Sequence, residues 1–126
     1  MTILVADDSM FMRKLISRTL QAGGFRSIVE AVDGEDAVRK FVEFSPHVIL
    51  MDINMPNKSG IEAAREIMRL DPTSKIIMLT AVDQQWAKEE AARMGVTAFL
   101  TKPFKQEELV NAVGGALFAT PEGLKA

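Results

Sequence analysis

Five short apolar runs divide the chain, and between them the hydrophobic residues recur with a helical period. The runs are Ile3-Leu4-Val5-Ala6, Ser27-Ile28-Val29-Glu30-Ala31, Val48-Ile49-Leu50-Met51, Lys75-Ile76-Ile77-Met78-Leu79 and Thr97-Ala98-Phe99-Leu100. Most are rich in Val, Ile or Leu, the pattern of strands buried on both faces. Helical spacing places Met12, Leu15, Ile16, Thr19 and Leu20 together, then Ala37, Val38, Phe41 and Val42. It recurs in Ile61, Ala64, Ile67 and Met68, in Trp86, Ala87, Glu90, Ala91 and Met94, and in Leu109, Val110, Val113, Ala116 and Leu117. Gly23-Gly24, Pro46, Pro72 and Gly95 fall where elements should end. Gly114-Gly115 lies inside the fifth helical segment and costs about 1 kcal/mol per glycine. Strand–helix alternation predicts an α/β fold: a parallel sheet built by right-handed crossovers and covered by helices on both faces, three layers in all. A length of 126 residues fits one domain. We expect residues 1–119 to form it and residues 120–126 to be a loose tail.

Composition narrows the chemistry. There is no cysteine, which excludes thiol nucleophiles, Cys-ligated zinc and disulfide scaffolds. A single histidine excludes a multi-histidine metal site. Fifteen basic residues against seventeen acidic ones give a net charge of −2, with no basic excess for nucleic acid. The apolar runs fall far short of the ~20 residues of a membrane span. Met1 leads almost directly into the first run without a charged segment, so no signal peptide is expected. The expected location is the cytoplasm.

In an open parallel sheet, ligands bind beyond the carboxyl ends of the strands. The residues there are Asp7 and Asp8 after the first run, Asp52 after the third, Thr80 after the fourth and Lys102-Pro103 after the fifth. Three carboxylates at one sheet edge repel one another. A hard divalent cation would relieve them, and magnesium takes oxygen ligands. Asp8 and Asp52 suit as direct ligands, with Asp7 acting directly or through water. Asp7-Asp8 could instead cap the helix opened by Ser9-Met10-Phe11. Asp52 could be a turn residue, but beside a metal and a lysine it is a candidate nucleophile for phosphoryl transfer. Lys102 and Thr80 could then serve the phosphoryl oxygens. A trans Lys102–Pro103 peptide is the statistical expectation, and a cis one would fix the lysine's direction.

The motifs Leu4-Val5-Ala6-Asp7-Asp8-Ser9, Met51-Asp52-Ile53-Asn54-Met55-Pro56 with Gly60, Leu79-Thr80-Ala81, and Thr101-Lys102-Pro103-Phe104 stand in order at successive strand ends. In this the chain resembles the receiver domain of two-component response regulators, particularly the free-standing chemotaxis type, from about Thr2 to Leu117. The resemblance implies a flavodoxin-like (βα)5 fold with strand order 2-1-3-4-5. It implies that Asp52 is the phosphoacceptor, that Asp7 and Asp8 bind magnesium with Asp52 and the Asn54 carbonyl, and that Lys102 binds phosphate. Thr80 would be the switch hydroxyl and Phe99 the switch aromatic, with a static core residue as the alternative for Phe99. It implies a histidine kinase as donor, and a target protein such as a flagellar motor switch component or a phosphotransferase. It implies a monomer before phosphorylation. His47 departs from an acid common at its position and reads as a loop residue. Val82 is apolar where relatives carry a polar residue, which bears on the lifetime of the acyl phosphate.

Other functions fit less well. A phosphorelay intermediate would use the same site. A haloacid-dehalogenase-like phosphatase would want an acid where Asn54 stands. A flavin or nucleotide module would want a phosphate-cradling loop where Asp7-Asp8 stand. A pseudo-receiver would lack key residues that are present. Met10-Phe11 reads mainly as core packing, and Trp86 as a partner contact or a partly buried residue.

Overall fold

β1 (Thr2–Ala6), β2 (Ser27–Ala31), β3 (Val48–Asp52), β4 (Ile76–Thr80) and β5 (Ala98–Thr101) alternate with five helices. The helices are α1 (Met10–Ala22), α2 (Gly34–Phe44), α3 (Gly60–Leu70), α4 (Gln85–Arg93) and α5 (Gln106–Phe118). The computed structural model describes residues 1–118 apart from Val82 and Thr97. The expected tail at 120–126, Val82 and the first residue of the fifth apolar run therefore lie outside the described residues. All strand pairs are parallel, in the order β2-β1-β3-β4-β5.

Alternation along the strands explains the two cores. Leu4, Ala6, Ile49, Met51, Ile76 and Met78 face one side, against Ala37 of α2, Ile61, Ala64 and Ile67 of α3, and Ala87 and Ala91 of α4. Ile3, Val5, Val48, Leu50, Ile77 and Leu79 face the other, against Ile16 and Leu20 of α1 and Leu109, Val113, Ala116 and Leu117 of α5. Burial on both faces holds for the inner strands β1, β3 and β4 but not for the edge strands β2 and β5. As an edge strand β2 has a neighbour on one side only, and its Ile28, Val29 and Glu30 are half-buried.

Three other expectations change. Met10 and Phe11 are exposed, not core, because the inward stripe of α1 is Arg13, Ile16, Ser17 and Leu20. Trp86 is 62% exposed, which overturns the burial reading and agrees with the partner-contact one. Asp52 and Thr80 are the last residues of β3 and β4 rather than residues beyond them, and Lys75 precedes β4. α5 runs unbroken through Gly114-Gly115. Burying each of its large apolar side chains gains about 1.5–3 kcal/mol, which outweighs the glycine penalty.

The start of α2 is fixed by carboxylates. Asp33 Oδ1 accepts from Asp36 N at 2.7 Å, and Asp33 Oδ2 accepts from Asn57 Nδ2 at 2.7 Å, tying α2 to the β3–α3 loop. The Asp36 backbone bond, then Asn57, hold the Asp33 carboxyl below its ordinary value of 3.8. Burial pushes Asp36 up, but bonds from Arg39, the Val32 N–H and Lys40 outweigh it and leave Asp36 low as well. Groups whose folded value is depressed stabilise above their unfolded value, and that stability is lost as pH falls through the folded value. Asp33→Ala is expected to cost about 1 kcal/mol at neutral pH as a lost cap. Denaturant titrations at decreasing pH should show the deficit shrinking below 3.8.

Candidate functional site: an acidic corner bridged by a lysine

Asp7 and Asp8 follow β1 directly. They do not cap α1: Ser9 does, its Oγ accepting from Met12 N at 3.2 Å. Asp7 is instead fixed on every side. Its N–H donates to Ala31 O at 3.2 Å, its Oδ1 accepts from Ser9 N at 2.9 Å, and its carbonyl accepts from Arg13 Nη1 at 2.8 Å. Asp7 is buried and Asp8 is exposed.

Asp52 ends β3, two strands-widths from the β2 edge, and is buried. Oxygens of Asp7, Asp8 and Asp52 lie within 4.8 Å of one another. Lys102, just past β5, reaches back over them: Nζ donates to Asp7 Oδ2 at 3.1 Å and lies 3.3 Å from Asp52 Oδ1. Its backbone N donates to Thr80 O at 2.7 Å, and the Lys102–Pro103 peptide is cis, against the trans expectation. One ammonium thus serves two carboxylates, and a third lies close by. Burial pushes the Asp52 carboxyl up; Lys102 opposes this, and Asp7 and Asp8 add to it, with a net rise.

Thr80 is fully buried, and its Oγ1 has no hydrogen-bond partner among the described residues. A buried hydroxyl with no partner costs free energy in this state, and a state that supplied one would recover that cost. Asn54 lies exposed in the loop after β3. Phe99 of β5 is half-buried against the core, with Lys88 Nζ 5.7 Å from its ring centroid, within cation–π range. His47 is an exposed loop residue, as expected, and its Nδ1 accepts from Thr2 N at 3.1 Å.

Carboxylate oxygens grouped this closely are the hard donor set that suits magnesium. Residues 3–114 match the sequence profile of the response regulator receiver domain. The chain belongs to that family. Receiver domains are phosphorylation-activated switches of two-component signalling, and this one is such a switch rather than a classical enzyme. It is 39% identical to the chemotaxis protein CheY of Thermotoga maritima over 111 residues, covering 88% of this chain and 92% of that protein. Its fold matches chemotaxis protein CheY4 of Vibrio cholerae with a TM-score of 0.85 at 32% identity, over 92% of this chain and 98% of that one. It also matches a chain of the CheX–CheY–BeF3–Mg complex of Borrelia burgdorferi, with a TM-score of 0.87 at 28% identity, over 94% of this chain and 90% of that one.

Sequence reasoning missed two charged residues of this receiver domain. Arg13 and Glu30 stand behind the acidic corner, Arg13 Nε donating to Glu30 Oε1 at 3.2 Å. The signal for Arg13 was its phase: a charge at the buried position of the stripe it shares with Ile16 and Leu20.

Proposed function

We propose that Asp52 accepts a phosphoryl group from a histidine kinase and that the resulting acyl phosphate switches the protein in chemotaxis signalling. One observation carries the reading. Three carboxylates and one ammonium meet at a single point of a receiver-family sheet, at the carboxyl ends of β1, β3 and β5. An Asp52 oxygen attacks phosphorus, the P–N bond of the donor breaks, and the kinase imidazole leaves. Lys102 moves from carboxylate to phosphoryl oxygen, where its charge is needed. Asp7, Asp8, Asp52 and the Asn54 carbonyl would hold magnesium, which when bound supplies positive charge against the phosphoryl oxygens.

Thr80 is the switch hydroxyl in this reading. Its Oγ1 lacks a partner here, and a phosphoryl oxygen would provide one. Phe99 follows, leaving its place beside Lys88 and altering the surface of α4, β5 and α5. That surface would bind the target. Chemotaxis relatives favour a motor switch component over a phosphorelay partner, and the Borrelia complex of CheX with CheY supports a protein partner. The protein would be cytoplasmic and monomeric before phosphorylation; among the described residues no helix is long and apolar enough to cross a membrane.

Intact-mass measurement after incubation with a small phosphodonor and magnesium tests the reading. The expected result is a gain of one phosphoryl group, lost when a chelator replaces the metal. No gain under any donor would refute it.

A further inference from the structure

Arg13 is a buried cation in the stripe of α1 that also holds Ile16 and Leu20. A buried charge persists only where its partners compensate its desolvation. One of its partners belongs to the acidic corner, and the other, Glu30, is shared with Lys14, whose Nζ donates to Glu30 Oε2 at 3.0 Å. Nη1 donates to the Asp7 carbonyl at 2.8 Å, and Nε donates to Glu30 Oε1 at 3.2 Å. The Asp7 carbonyl and the Asp8 N–H belong to one peptide plane. Gripping that carbonyl therefore fixes the peptide plane from which Asp8 departs. Asp8 is exposed and has the least packing around it of the three acids. Glu30 has a separate effect. It offsets the guanidinium charge, which would otherwise stand uncompensated behind a site for cations.

We infer that Arg13, held by Glu30, is a positioning residue that sets the affinity of the Asp7–Asp8–Asp52 corner for a divalent cation. The inference rests on the magnesium reading above. A purely structural role, pinning α1 to β2, would need only the Glu30 bond. The second bond, to the main chain of a site residue, is what that role leaves unexplained. Groups that orient metal ligands from behind typically change affinity about 10- to 100-fold when removed.

Calorimetric titration of the full chain with magnesium alone separates position from charge. The double variant Arg13→Met/Glu30→Gln removes one charge of each sign and leaves only the exposed Lys14 without Glu30, so the loss that persists at high salt reports position. It is expected to bind magnesium about 10-fold more weakly, at low and high salt alike. Glu30→Gln alone keeps an acceptor for Nε but leaves the guanidinium charge bare. Its smaller loss should shrink only in part as salt rises, because salt screens a buried charge less than an exposed one. Arg13→Lys keeps the charge but has no fork to reach both partners, and should lose affinity too. Should the double variant not fold by circular dichroism, Arg13→Lys decides the matter. Folded variants that bind as the wild type does would overturn the inference alone. Losses in the double variant or Arg13→Lys that vanish at high salt would overturn it as well, assigning the effect to charge. A wild type that takes up no magnesium would instead overturn the metal reading, and the inference with it.

Discussion

Asp52→Asn is expected to take up no phosphoryl group and, with metal chelated, to melt at a higher temperature than the wild type at neutral pH. The two effects have one cause. Asp52 is a buried carboxylate whose charge is only partly compensated: burial raises its pKa, and Lys102, which must also serve Asp7, does not cancel the rise. A carboxyl raised in the fold destabilises the folded state once ionised, at pH above the folded value. An amide of the same shape removes that penalty. The thermal advantage of Asp52→Asn should therefore be present at neutral pH and close as pH falls towards 3.8, where folded and unfolded carboxyls both take up protons. The same substitution removes the nucleophile, since a neutral amide does not attack phosphorus. The test is demanding because other acceptors lie close, with oxygens of Asp7 and Asp8 within 4.8 Å. A phosphoryl gain in Asp52→Asn would move the acceptor to one of them. An unchanged melting temperature at neutral pH would mean that Lys102 compensates Asp52 fully.

How much of this was legible in the sequence follows from which contacts depend on periodicity. Parallel strands end on one edge, so polar residues at the ends of successive apolar runs must come together there. Asp7, Asp8, Asp52 and Lys102 do so. The cores of the inner strands were legible for the same reason, because Leu4 and Val5 cannot face the same side. Edge position is not a local property. Ser27-Ile28-Val29-Glu30-Ala31 looks like its siblings, but with one neighbour only it leaves Glu30 free to meet Arg13 and Lys14. Met10 and Phe11 lie off the stripe of Ile16 and Leu20 that the period marks, so their burial had no periodic support, while Leu15, which the period places on that stripe, is exposed. The grip of Arg13 on a main-chain carbonyl, and the tie between Asn57 and Asp33, depend on loop paths that no spacing rule encodes.

Gly60→Ala is expected to disrupt the acidic corner from beneath without touching any charged group. A Cβ on Gly60 would lie 1.9 Å from Asp52 O, 2.8 Å from Asp52 C and 2.9 Å from Ile53 Cα. All three are backbone atoms, so no rotamer change relieves the clash. β3 cannot retreat, because it is paired with β1 on one side and β4 on the other. α3 is held as well, by Gly60 N donating to Ile53 O at 2.8 Å and by the Ser59 cap. The strain should cost about 3 kcal/mol or more, at the upper end for overpacking. For a domain of this size that is a fall in melting temperature of roughly 10 °C. Because Asp52 itself must shift, magnesium uptake should weaken in whatever fraction stays folded. Gly114→Ala provides the contrast. Nothing lies within 4 Å of its added Cβ, and it sits inside α5, so the same methyl should stabilise by about 0.5–1 kcal/mol. Opposite signs for one chemical change would place the constraint at the β3–α3 junction. Equal melting temperatures for the two variants would mean that α3 can draw back from Asp52, and that the corner tolerates more movement than its hydrogen bonds imply.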